Sequence, residues 1–576
     1  MSDRIWVVDN PPSEKYPIYT RGNVGEVFPD TVAPLSWTMF GRPGAEPGWR
    51  DAFVRFGVFD EDEFNPDELE ILGVFGGYCY LNVSISRIFG VRVPGLTPEL
   101  VDQSIWGEMP GAPPYRPLPT DESPKHTARI QETLGWIFTT QDLPELREDQ
   151  RRVQAIRDAR PDLSSLSNEQ LLARIRSYFD LFKELFSQHL FISYSALTVI
   201  GTIVGVCQQA LGDPSLAMRL ISGVGDVDSA APSFAMWEMG RRAAATPGVR
   251  AEFDAGAEEL LDRLRQRAEA DAFVKEFDQF IYDFGSRGPN EWEMRCPTWE
   301  TNPELALVSI DRMRLLDEAG DPSHAQQRLA AEREVIAADV LKGLEVAPEA
   351  QGQMGAALNA AKLFMPGRER TKTTIIKLTQ ELRLTAREIG RRMCELGVFD
   401  RPENIGMMCD AELDDLIANP KKWRETVLDR EDLYARLQAL EPPFIIDGEI
   451  PPLQDWKTRD HTPQHVPVGT TLAGLAGCPG SAKGRARVIL SPFDGKDLNP
   501  GDVLVAPITD PSWTPLFVPA AAVVVDVGAP ISHAVIVSRE LGIPCVVSVI
   551  DATRKIPDGA LIEVDGTNGT VTVLEA

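Results

Sequence analysis

The chain has 576 residues, of which 43% are hydrophobic and 25% are charged, and its formal net charge is −28. These values are typical of a globular protein that divides into two or three domains. The negative charge argues against a nucleic-acid-binding surface and against binding to anionic membranes. The negative net charge does not exclude a local basic pocket that holds phosphate.

The seven cysteines are scattered, odd in number and never spaced as Cys-x-x-Cys. This distribution favours reduced thiols and a cytoplasmic protein over a disulfide framework. The apolar piece at residues 5–8 is too short for a signal peptide, and we expect none at this end.

The N-terminal quarter is rich in proline, glycine and aromatic residues, which predicts an irregular region with short strands. One strand is predicted within residues 76–84, entered from a glycine turn. Helical periodicity then dominates residues 127–284 and 323–397, and Ser167 is placed to cap one of these helices. No repeat of fixed period is apparent.

Residues 190–212 contain no Asp, Glu, Lys or Arg and are numerous enough to cross a bilayer. The stretch nevertheless carries serines, threonines, glutamines and glycines, which dilute its apolar character. We therefore expect a buried helix that can line an apolar pocket rather than a membrane span.

Glycines and prolines exclude a regular helix from residues 284–299. A solvated loop is the simplest interpretation of this segment. The alternative is a pocket wall in which Arg287 meets an anion and a carboxylate such as Glu291 meets a hydroxyl.

Arg368 and Lys372 are one helical turn apart and share a face of the predicted helix. Two cations on one face attract a phosphate group. A solvated charged face is the commoner explanation of such a pair.

Residues 440–474 are rich in proline, glycine and threonine without periodicity, which is typical of a linker. About 25 such residues reach at most ~80 Å when fully extended. Beyond them the pattern predicts many strands and few helices.

Within residues 523–547 a valine-rich run predicts a buried strand, and a short helix follows from Ser532 to a stop at Gly542. His533 therefore lies in the first turn of that helix, where backbone N–H groups favour an anion. It can be a capping or core histidine, or a nucleophile that carries a covalent group. A metal site is less favoured, because no second His or Cys lies nearby at ligand spacing.

The segment Gly-Ala-Pro-Ile-Ser-His-Ala-Val-Ile-Val-Ser-Arg-Glu-Leu-Gly-Ile-Pro at 528–544 resembles the phosphohistidine signature of the mobile domain of phosphoenolpyruvate-utilising enzymes. Ala529 stands where that pattern usually has a second glycine. Segments near Asn23 and at residues 77–84, 285–291 and 368–372 resemble the substrate domain of the rifampicin phosphotransferase family.

The resemblance implies an α/β multidomain protein in which a large, mainly helical substrate-binding domain precedes a small β/β/α swivelling domain. The predicted boundaries are 1–445 for the substrate domain, 446–473 for a flexible linker and 474–576 for the phosphohistidine domain. The resemblance makes His533 the phosphoryl carrier, with Arg368 and Lys372 assisting transfer to a hydroxyl. We also expect Arg287 to help neutralise the transferred group and Glu291 to orient or deprotonate the acceptor hydroxyl.

No Gly-x-x-x-x-Gly-Lys-Ser/Thr loop is present, and we expect neither an ATP-grasp domain before residue 23 nor a pyruvate-binding barrel after His533. The sequence thus predicts the His-carrying subunit of a split phosphotransferase, similar to phenylphosphate and alkylphenol phosphate synthases. ATP and Mg²⁺ would be bound by a separate ATP-grasp subunit, with no cofactor or metal on this chain. The expected acceptor is a small aromatic hydroxyl. The alternatives are an antibiotic of rifampicin type and a non-catalytic, phosphorylation-dependent scaffold.

Overall fold

The computed structural model describes residues 5–106, 111–213, 215–225, 227–318, 321–459, 462–492, 498–529 and 532–576. The chain divides into two compact units. The first unit comprises Met1–Ser195, Trp292–Cys296 and Thr371–Asp460, and the second comprises Ala196–Glu291, Pro297–Arg370 and His461–Ala576. Each unit is described by itself below.

The α-helices, in chain order, are α1 (Val24–Val27), α2 (Pro34–Ser36), α3 (Glu46–Phe56), α4 (Val83–Arg92), α5 (Pro98–Trp106), α6 (Pro124–Thr139), α7 (Pro144–Asp158), α8 (Asn168–Arg176), α9 (Phe179–Val206), α10 (Ser215–Leu220), α11 (Ala231–Ala245), α12 (Pro247–Asp254), α13 (Leu260–Arg265), α14 (Asp271–Phe284), α15 (Glu304–Arg314), α16 (Pro322–Gly343), α17 (Pro348–Glu395), α18 (Leu413–Ala418), α19 (Arg424–Gln438), α20 (Thr514–Phe517), α21 (His533–Leu541) and α22 (Ala552–Lys555). Two π-helical segments are Trp37–Ala45 and Cys207–Leu211. Short 3-10 turns are Glu61–Glu63, Leu163–Ser165, Ala268–Ala270, Leu344–Val346, Pro402–Met407, Asp410–Glu412, Pro420–Trp423, Leu453–Asp455 and Pro511–Trp513.

The strands are β1 (Ile18–Thr20), β2 (Leu72–Phe75), β3 (Tyr78–Asn82), β4 (Leu440–Glu441), β5 (Ile445–Asp447), β6 (Lys457–Thr458), β7 (Thr471–Ala473), β8 (Leu475–Cys478), β9 (Ser481–Val488), β10 (Val503–Ala506), β11 (Ala522–Val525), β12 (Cys545–Val547), β13 (Leu561–Asp565) and β14 (Thr570–Glu575). They form sheets of four, eight and two strands. A mainly helical N-terminal region followed by a C-terminal mixed sheet confirms the predicted fold class.

The eight-stranded sheet of the second unit has the order β7-β14-β13-β9-β10-β11-β12-β8. Its central strands β9, β10, β11 and β12 are parallel, whereas the flanking strands pair antiparallel. All four residues of β11 are buried. Val523 and Val525 pack on the face that carries α20 and α21, and Val524 packs on the opposite face with residues of α22 and β13. Because both faces are covered, the strand is a continuous valine run, as the sequence predicted.

Parallel pairing decides where the chemistry-bearing residues gather. Successive parallel strands need a crossover, and here α20 connects β10 to β11 while α21 connects β11 to β12. The segments that leave β10 and β11 therefore emerge at the same carboxyl edge of the sheet. Thr509 follows the first strand and His533 follows the second.

The helices of the second unit have a core of their own. Met236, Phe277, Trp299 and Ile310 are among its fully buried members, and they come from α11, α14, α15 and the loop after α14. Val518, which follows α20, packs against this helical core and against the core beneath α21. The helical part and the sheet part of this unit are therefore packed together.

In the first unit, the four-stranded antiparallel sheet has the order β2-β3-β1-β5. Strands β2 and β3 form a hairpin through Gly76 and Gly77, both with positive φ, which confirms the strand predicted after a glycine turn. Tyr19, Tyr78, Tyr80 and other aromatic side chains form its buried core.

The predicted helical regions are confirmed, and the N–H of Gln170 donates to Ser167 Oγ at 3.2 Å, as expected of a cap. The predicted linker contains short paired segments. Strand β5 pairs with β1, and β7 pairs with β14. The predicted boundaries 1–445, 446–473 and 474–576 stay a prediction.

The long apolar stretch forms most of α9, which is followed by a π-helical segment that ends at Gly212 (φ 70°). By length and composition, the helical run Asn168–Leu211 could cross a membrane, and half of its most apolar window is buried within the protein. Core helices of soluble proteins have the same properties, so this helix does not decide the protein's location.

All seven cysteines are free thiols. Cys478 and Cys545 are neighbours on the antiparallel strands β8 and β12, and both side chains are buried. Burial raises the pKa of each of these two thiols to about 12.

Candidate functional site

His533 is the first residue of α21, at the carboxyl edge of the parallel strands. Ser532 caps this helix in an extended conformation, and the N–H of Val535 donates to Ser532 Oγ at 3.5 Å. Gly542 ends the helix in the left-handed conformation (φ 67°). The motif's Pro530 and Ile531 lie outside the described residues.

Each ring nitrogen of His533 faces a threonine hydroxyl. Nδ1 lies 3.2 Å from Thr509 Oγ1, and Nε2 lies 3.2 Å from Thr514 Oγ1. Phe517 contacts the ring edge-on, with centroids 5.8 Å apart. A hydroxyl can donate or accept, so this arrangement suits either neutral tautomer of the imidazole. The ring is thereby fixed in orientation while it remains only partly buried.

The turn that carries these threonines is organised by Asp510. Its Oδ1 accepts the N–H of Ser512 at 2.8 Å and the Ser512 hydroxyl at 2.5 Å, which is the geometry of an Asx turn. Its Oδ2 accepts the backbone N–H of Asn290 at 3.0 Å. Burial raises the pKa of Asp510, and the nearby negative charge of Glu291 acts in the same direction. The carboxylate thus joins the turn beside His533 to the loop after α14.

That loop holds two of the sequence-predicted site residues. Arg287 and Glu291 are buried, and Arg287 Nη1 donates to both carboxylate oxygens of Glu291 at 3.0 and 3.1 Å. A side chain at Gly288 would place its Cβ 2.4 Å from the carbonyl oxygen of Pro297, so the close approach of the two chain segments requires glycine. The segment is non-helical, as predicted, but Arg287 contacts the carboxylate of Glu291 here.

Arg368 and Lys372 both lie on α17, one turn apart, which confirms the predicted helix. Arg368 belongs to the same unit as His533, whereas Lys372 belongs to the other unit. Arg368 Nη1 donates to Glu369 Oε1. The roles assigned to His533, Arg368, Lys372, Arg287 and Glu291 stay predictions.

Thr509, Asp510 and Thr514 are site residues that were not predicted from the sequence. The signal for Asp510 was present, because Asp-x-Ser after a strand is typical of an Asx turn. The threonine contacts carried no local signal, since they depend on which strands are adjacent in the sheet.

A cavity of about 280 Å³ lies among α10, α16 and α17 of the second unit. Its lining is mainly aliphatic, with Arg333, Glu334, Asn359 and Lys362 as its polar residues. Its lining contains no aromatic residue.

Asp60, Glu63 and His126 of the first unit bring candidate metal-ligand atoms within 4.8 Å of one another. Asp60 is already paired with Lys125 and Arg129. Glu63 is paired with the buried Arg92. Because both carboxylates are neutralised by cations, this group is better described as an ion-pair cluster than as a metal site.

Two parts of the chain match known families. Residues 188–369 match the rifampicin phosphotransferase fourth domain, and residues 498–569 match the mobile domain of PEP-utilising enzymes. His533, Thr509 and Thr514 all fall within the second match.

Several curated proteins are similar to the chain. An uncharacterized protein of Mycobacterium tuberculosis is 33% identical over 292 residues, which cover 50% of this chain and 30% of the relative. The rifampicin phosphotransferase of Streptomyces sviceus is 30% identical over 329 residues, covering 56% of this chain and 37% of the relative. The prodigiosin synthesizing transferase PigC of Serratia marcescens is 30% identical over 339 residues, which cover 57% of this chain and 37% of the relative.

The matches to the chain thus extend over about a third of the length of these relatives. The chain resembles rifampicin phosphotransferase and carries the mobile domain of a PEP-utilising enzyme, as the sequence predicted.

Proposed function

We propose that this chain is the His-carrying, substrate-binding subunit of a split phosphotransferase. The observation that carries the proposal is the position of His533 at the start of α21, with each ring nitrogen facing a threonine hydroxyl. The helix N-terminus favours the negative charge that a phosphoryl group would bring. The match to a PEP-utilising mobile domain supports the same role.

In the first half-reaction, a separate ATP-grasp subunit with Mg²⁺ would cleave ATP to AMP and inorganic phosphate: the β-phosphoryl group would pass to His533, the γ-phosphoryl group would pass to water, and AMP would leave. The chain's own contribution is the imidazole, whose nitrogen forms the new N–P bond. The hydroxyl of Thr509 or Thr514 at the opposite nitrogen would hold the ring in place while that bond forms.

In the second half-reaction, the N–P bond would break as a hydroxyl oxygen of the acceptor bonds to phosphorus, and the hydroxyl proton would pass to a base. Glu291 is the candidate base, and it would have to exchange part of its contact with Arg287 to act. Arg368 and Lys372 would neutralise the charge on the transferring group. A small aromatic hydroxyl, a phenol or an alkylphenol, is the acceptor that we propose.

A second acceptor class is an antibiotic of rifampicin type. It is favoured by the relatives named rifampicin phosphotransferase. Incubation of the loaded protein with phenol, 4-methylphenol and rifampicin, followed by mass spectrometry of the products, distinguishes these classes.

Chemical loading tests the carrier without the partner. Phosphoramidate is a small donor that phosphorylates accessible histidines, so it should label His533 and yield an acid-labile, alkali-stable adduct. The variant His533→Asn should lose this label, whereas His324→Asn, at a histidine that is 70% exposed, should change only its own site. If His533→Asn keeps the acid-labile label, or still phosphorylates the acceptor, the carrier role is refuted. Loss of the label without any loss of acceptor phosphorylation would favour the scaffold alternative.

The transfer step has its own test. Arg368→Gln and Lys372→Gln should slow delivery to the acceptor by at least tenfold while leaving the loading of His533 intact. Arg391→Gln, at an exposed arginine on the same helix, is the matched control. Equal transfer rates in all three variants would remove these two cations from the mechanism.

A further inference from the structure

The cavity among α10, α16 and α17 has no part in the chemistry proposed for His533. Its volume is about 280 Å³, and it lies wholly within the second unit, because its α17 residues precede Arg370. An apolar cavity of about 150 Å³ is enough to hold one benzene molecule. A cavity of nearly twice that volume therefore has space for a ligand of about ten non-hydrogen atoms.

Small residues on two helices leave this space open. Ala337 and Ala338 lie on α16, and Gly355 and Ala361 lie on α17. For a Cβ added at Gly355, the nearest described atom beyond its own stretch of helix is Leu341 Cδ2, at 4.0 Å. No close approach of another segment therefore requires glycine there, although glycine inside a helix is less stable than alanine. The glycine keeps the cavity larger than the backbone demands.

Aliphatic side chains form the larger part of the wall. Leu220 and Val224 come from α10 and the loop after it, Leu341 from α16 and Leu358 from α17. Leu220 is almost fully buried, and the other three are half-buried. A hydrocarbon chain suits such a wall, because it covers apolar surface without bringing in polar groups that need partners.

The solvent side of the cavity carries charged groups. Lys362 and Glu334 are 55% and 59% exposed, and Lys362 Nζ lies 3.7 Å from Glu334 Oε1. Arg333 Nη2 donates to the same carboxylate oxygen at 3.0 Å. The hydrogen bond from Arg333 and the charge of Lys362 lower the pKa of the Glu334 carboxyl. Two cations thus share one carboxylate, and the excess positive charge favours an anionic head group at this opening.

One wall of the cavity also supports the helix that begins at His533. Residues 220–225 supply two of the lining side chains. The carbonyl oxygen of Gly223 accepts from Arg333 Nη1, which ties this segment to α16. On its other side, the N–H of Gly225 donates to Glu540 Oε2 of α21 at 3.3 Å. The segment therefore lies between the cavity and α21, within one unit.

We propose that the cavity binds a small aliphatic carboxylate whose head group contacts Lys362, and that the bound ligand braces residues 220–225 against α21. A chain of about eight carbons matches the volume. Its carboxylate would take the place of Glu334 beside Lys362, where the present contact of 3.7 Å is longer than a hydrogen bond. The site itself does not rest on the proposed function, whereas any effect of the ligand on the loading of His533 does.

Calorimetric titration of the whole chain tests the site with three probes, octanoate, butanoate and octylamine. Octanoate should bind at least tenfold more tightly than butanoate, which buries four fewer methylene groups. It should also bind at least tenfold more tightly than octylamine, which has a chain of the same length and the opposite charge.

Substitutions at two glycines of α17 test the location. Gly355→Leu places a side chain in the cavity and should weaken octanoate binding at least tenfold. Gly352→Leu is the matched control, because Gly352 is exposed on the same helix and outside the lining. A Cβ added at Gly352 meets no neighbouring element within 4 Å among the described residues. This variant should bind octanoate as the wild type does.

Two exposed side chains test the head-group contact with opposite signs. Lys362→Met should weaken octanoate binding about fivefold, because the cation is lost. Glu334→Gln should strengthen it severalfold, because the competing carboxylate is removed. Both side chains are exposed, so these variants serve if Gly355→Leu does not fold. Equal affinities in both variants and the wild type would overturn the assignment of the head group.

Hydrogen exchange gives the readout for bracing. Octanoate should slow exchange in residues 220–225 and in α21, in the wild type and in Gly352→Leu, and unchanged exchange in α21 would overturn the bracing. No binding by the wild type, equal binding by Gly355→Leu and the wild type, or equal binding of octanoate and octylamine would overturn the site. His533→Asn should retain octanoate binding, so failure of the carrier role and failure of this site are separable.

Discussion

The backbone N–H of Asn290 donates to Asp510 Oδ2 at 3.0 Å, across 220 residues of sequence. This one bond joins the loop of Arg287 and Glu291 to the turn whose threonines contact His533. It therefore links the turn beside His533 to the candidate groups of the helical part of the same unit.

Removing the carboxylate of Asp510 should slow phosphoryl transfer without preventing the loading of His533. In Asp510→Ala the half-buried N–H of Asn290 loses its partner, which costs about 1 kcal/mol. We expect transfer to the acceptor to slow by about tenfold or more, while phosphoramidate still loads His533. Rates of loading and of product formation, measured on the same preparation, check this result. Asp565→Ala, which removes a carboxylate that accepts the N–H groups of Thr567 and Asn568 in a turn of the same sheet, should leave both rates unchanged.

The two threonines should differ in their effects. A phosphoryl group on one ring nitrogen of His533 would displace the hydroxyl that faces that nitrogen, so only the other hydroxyl would contact the phosphorylated ring. One of the two variants, Thr509→Val or Thr514→Val, removes this remaining contact. That variant loses a hydrogen bond of about 1 kcal/mol and should load about fivefold more slowly. The remaining variant should load nearly as the wild type does. The nitrogen that carries phosphorus, identified by NMR of the loaded protein, should be the one facing the threonine whose loss matters less.

Thr471→Val is the control for this comparison, because Thr471 is exposed on β7 and its hydroxyl lies 2.9 Å from that of Thr572. Identical loading rates in all three valine variants would mean that neither threonine positions the ring.

The Arg287–Glu291 pair predicts a strongly non-additive pair of substitutions. Arg287→Met leaves a carboxylate that is 2% exposed without its cation, which should lower the free energy of unfolding by about 3–5 kcal/mol. Arg287→Met combined with Glu291→Leu removes both charges and should recover most of that loss. Urea unfolding of the two single variants and the double variant measures the coupling. If the double variant is as unstable as Arg287→Met, the pair is not the cause of the loss. A stable double variant with normal transfer would exclude both residues from the chemistry.

Asp526 should make the second unit less stable as the pH rises. Burial is the main reason that its pKa is about 7 rather than 3.8, although the N–H of Thr553 donates to it at 2.8 Å. Between pH 4 and 7 the folded state therefore binds more protons than the unfolded state, and the free energy of unfolding falls as the pH rises. A shift of about three pH units corresponds to a change of up to about 4 kcal/mol. Asp526→Asn lacks this titration, so its stability relative to the wild type should increase between pH 4 and pH 8. A difference that is constant over this range would contradict the assignment.

Local signals were enough to predict α21. Apolar residues at helical spacing (Ala534, Val537 and Leu541) and Gly542 as a stop lie within ten residues of one another, and the structure has the helix at His533–Leu541. The contacts of His533 needed more, because Thr509 and Thr514 reach it only through the parallel order of β10 and β11. Nothing in the spacing of 24 and 19 residues indicates that adjacency.

Arg287 and Glu291 show a different limit. Each residue alone was a reasonable ligand for an anion or a hydroxyl, yet the tight loop brings the two side chains to each other. Arg539 shows the reverse case, since a charged residue on a short helix is ordinarily exposed and this side chain is buried. Both outcomes depend on tertiary packing, which periodicity does not describe.

The buried pair Cys478 and Cys545 gives the eight-stranded sheet a built-in reporter. A thiol with a pKa of about 12 is almost entirely protonated in neutral solution, and its side chain is also closed to reagents. Both thiols belong to the core between the sheet and α21. Alkylation at these positions therefore requires that this core open, so the labelling rate records how often α21 leaves the face of the sheet.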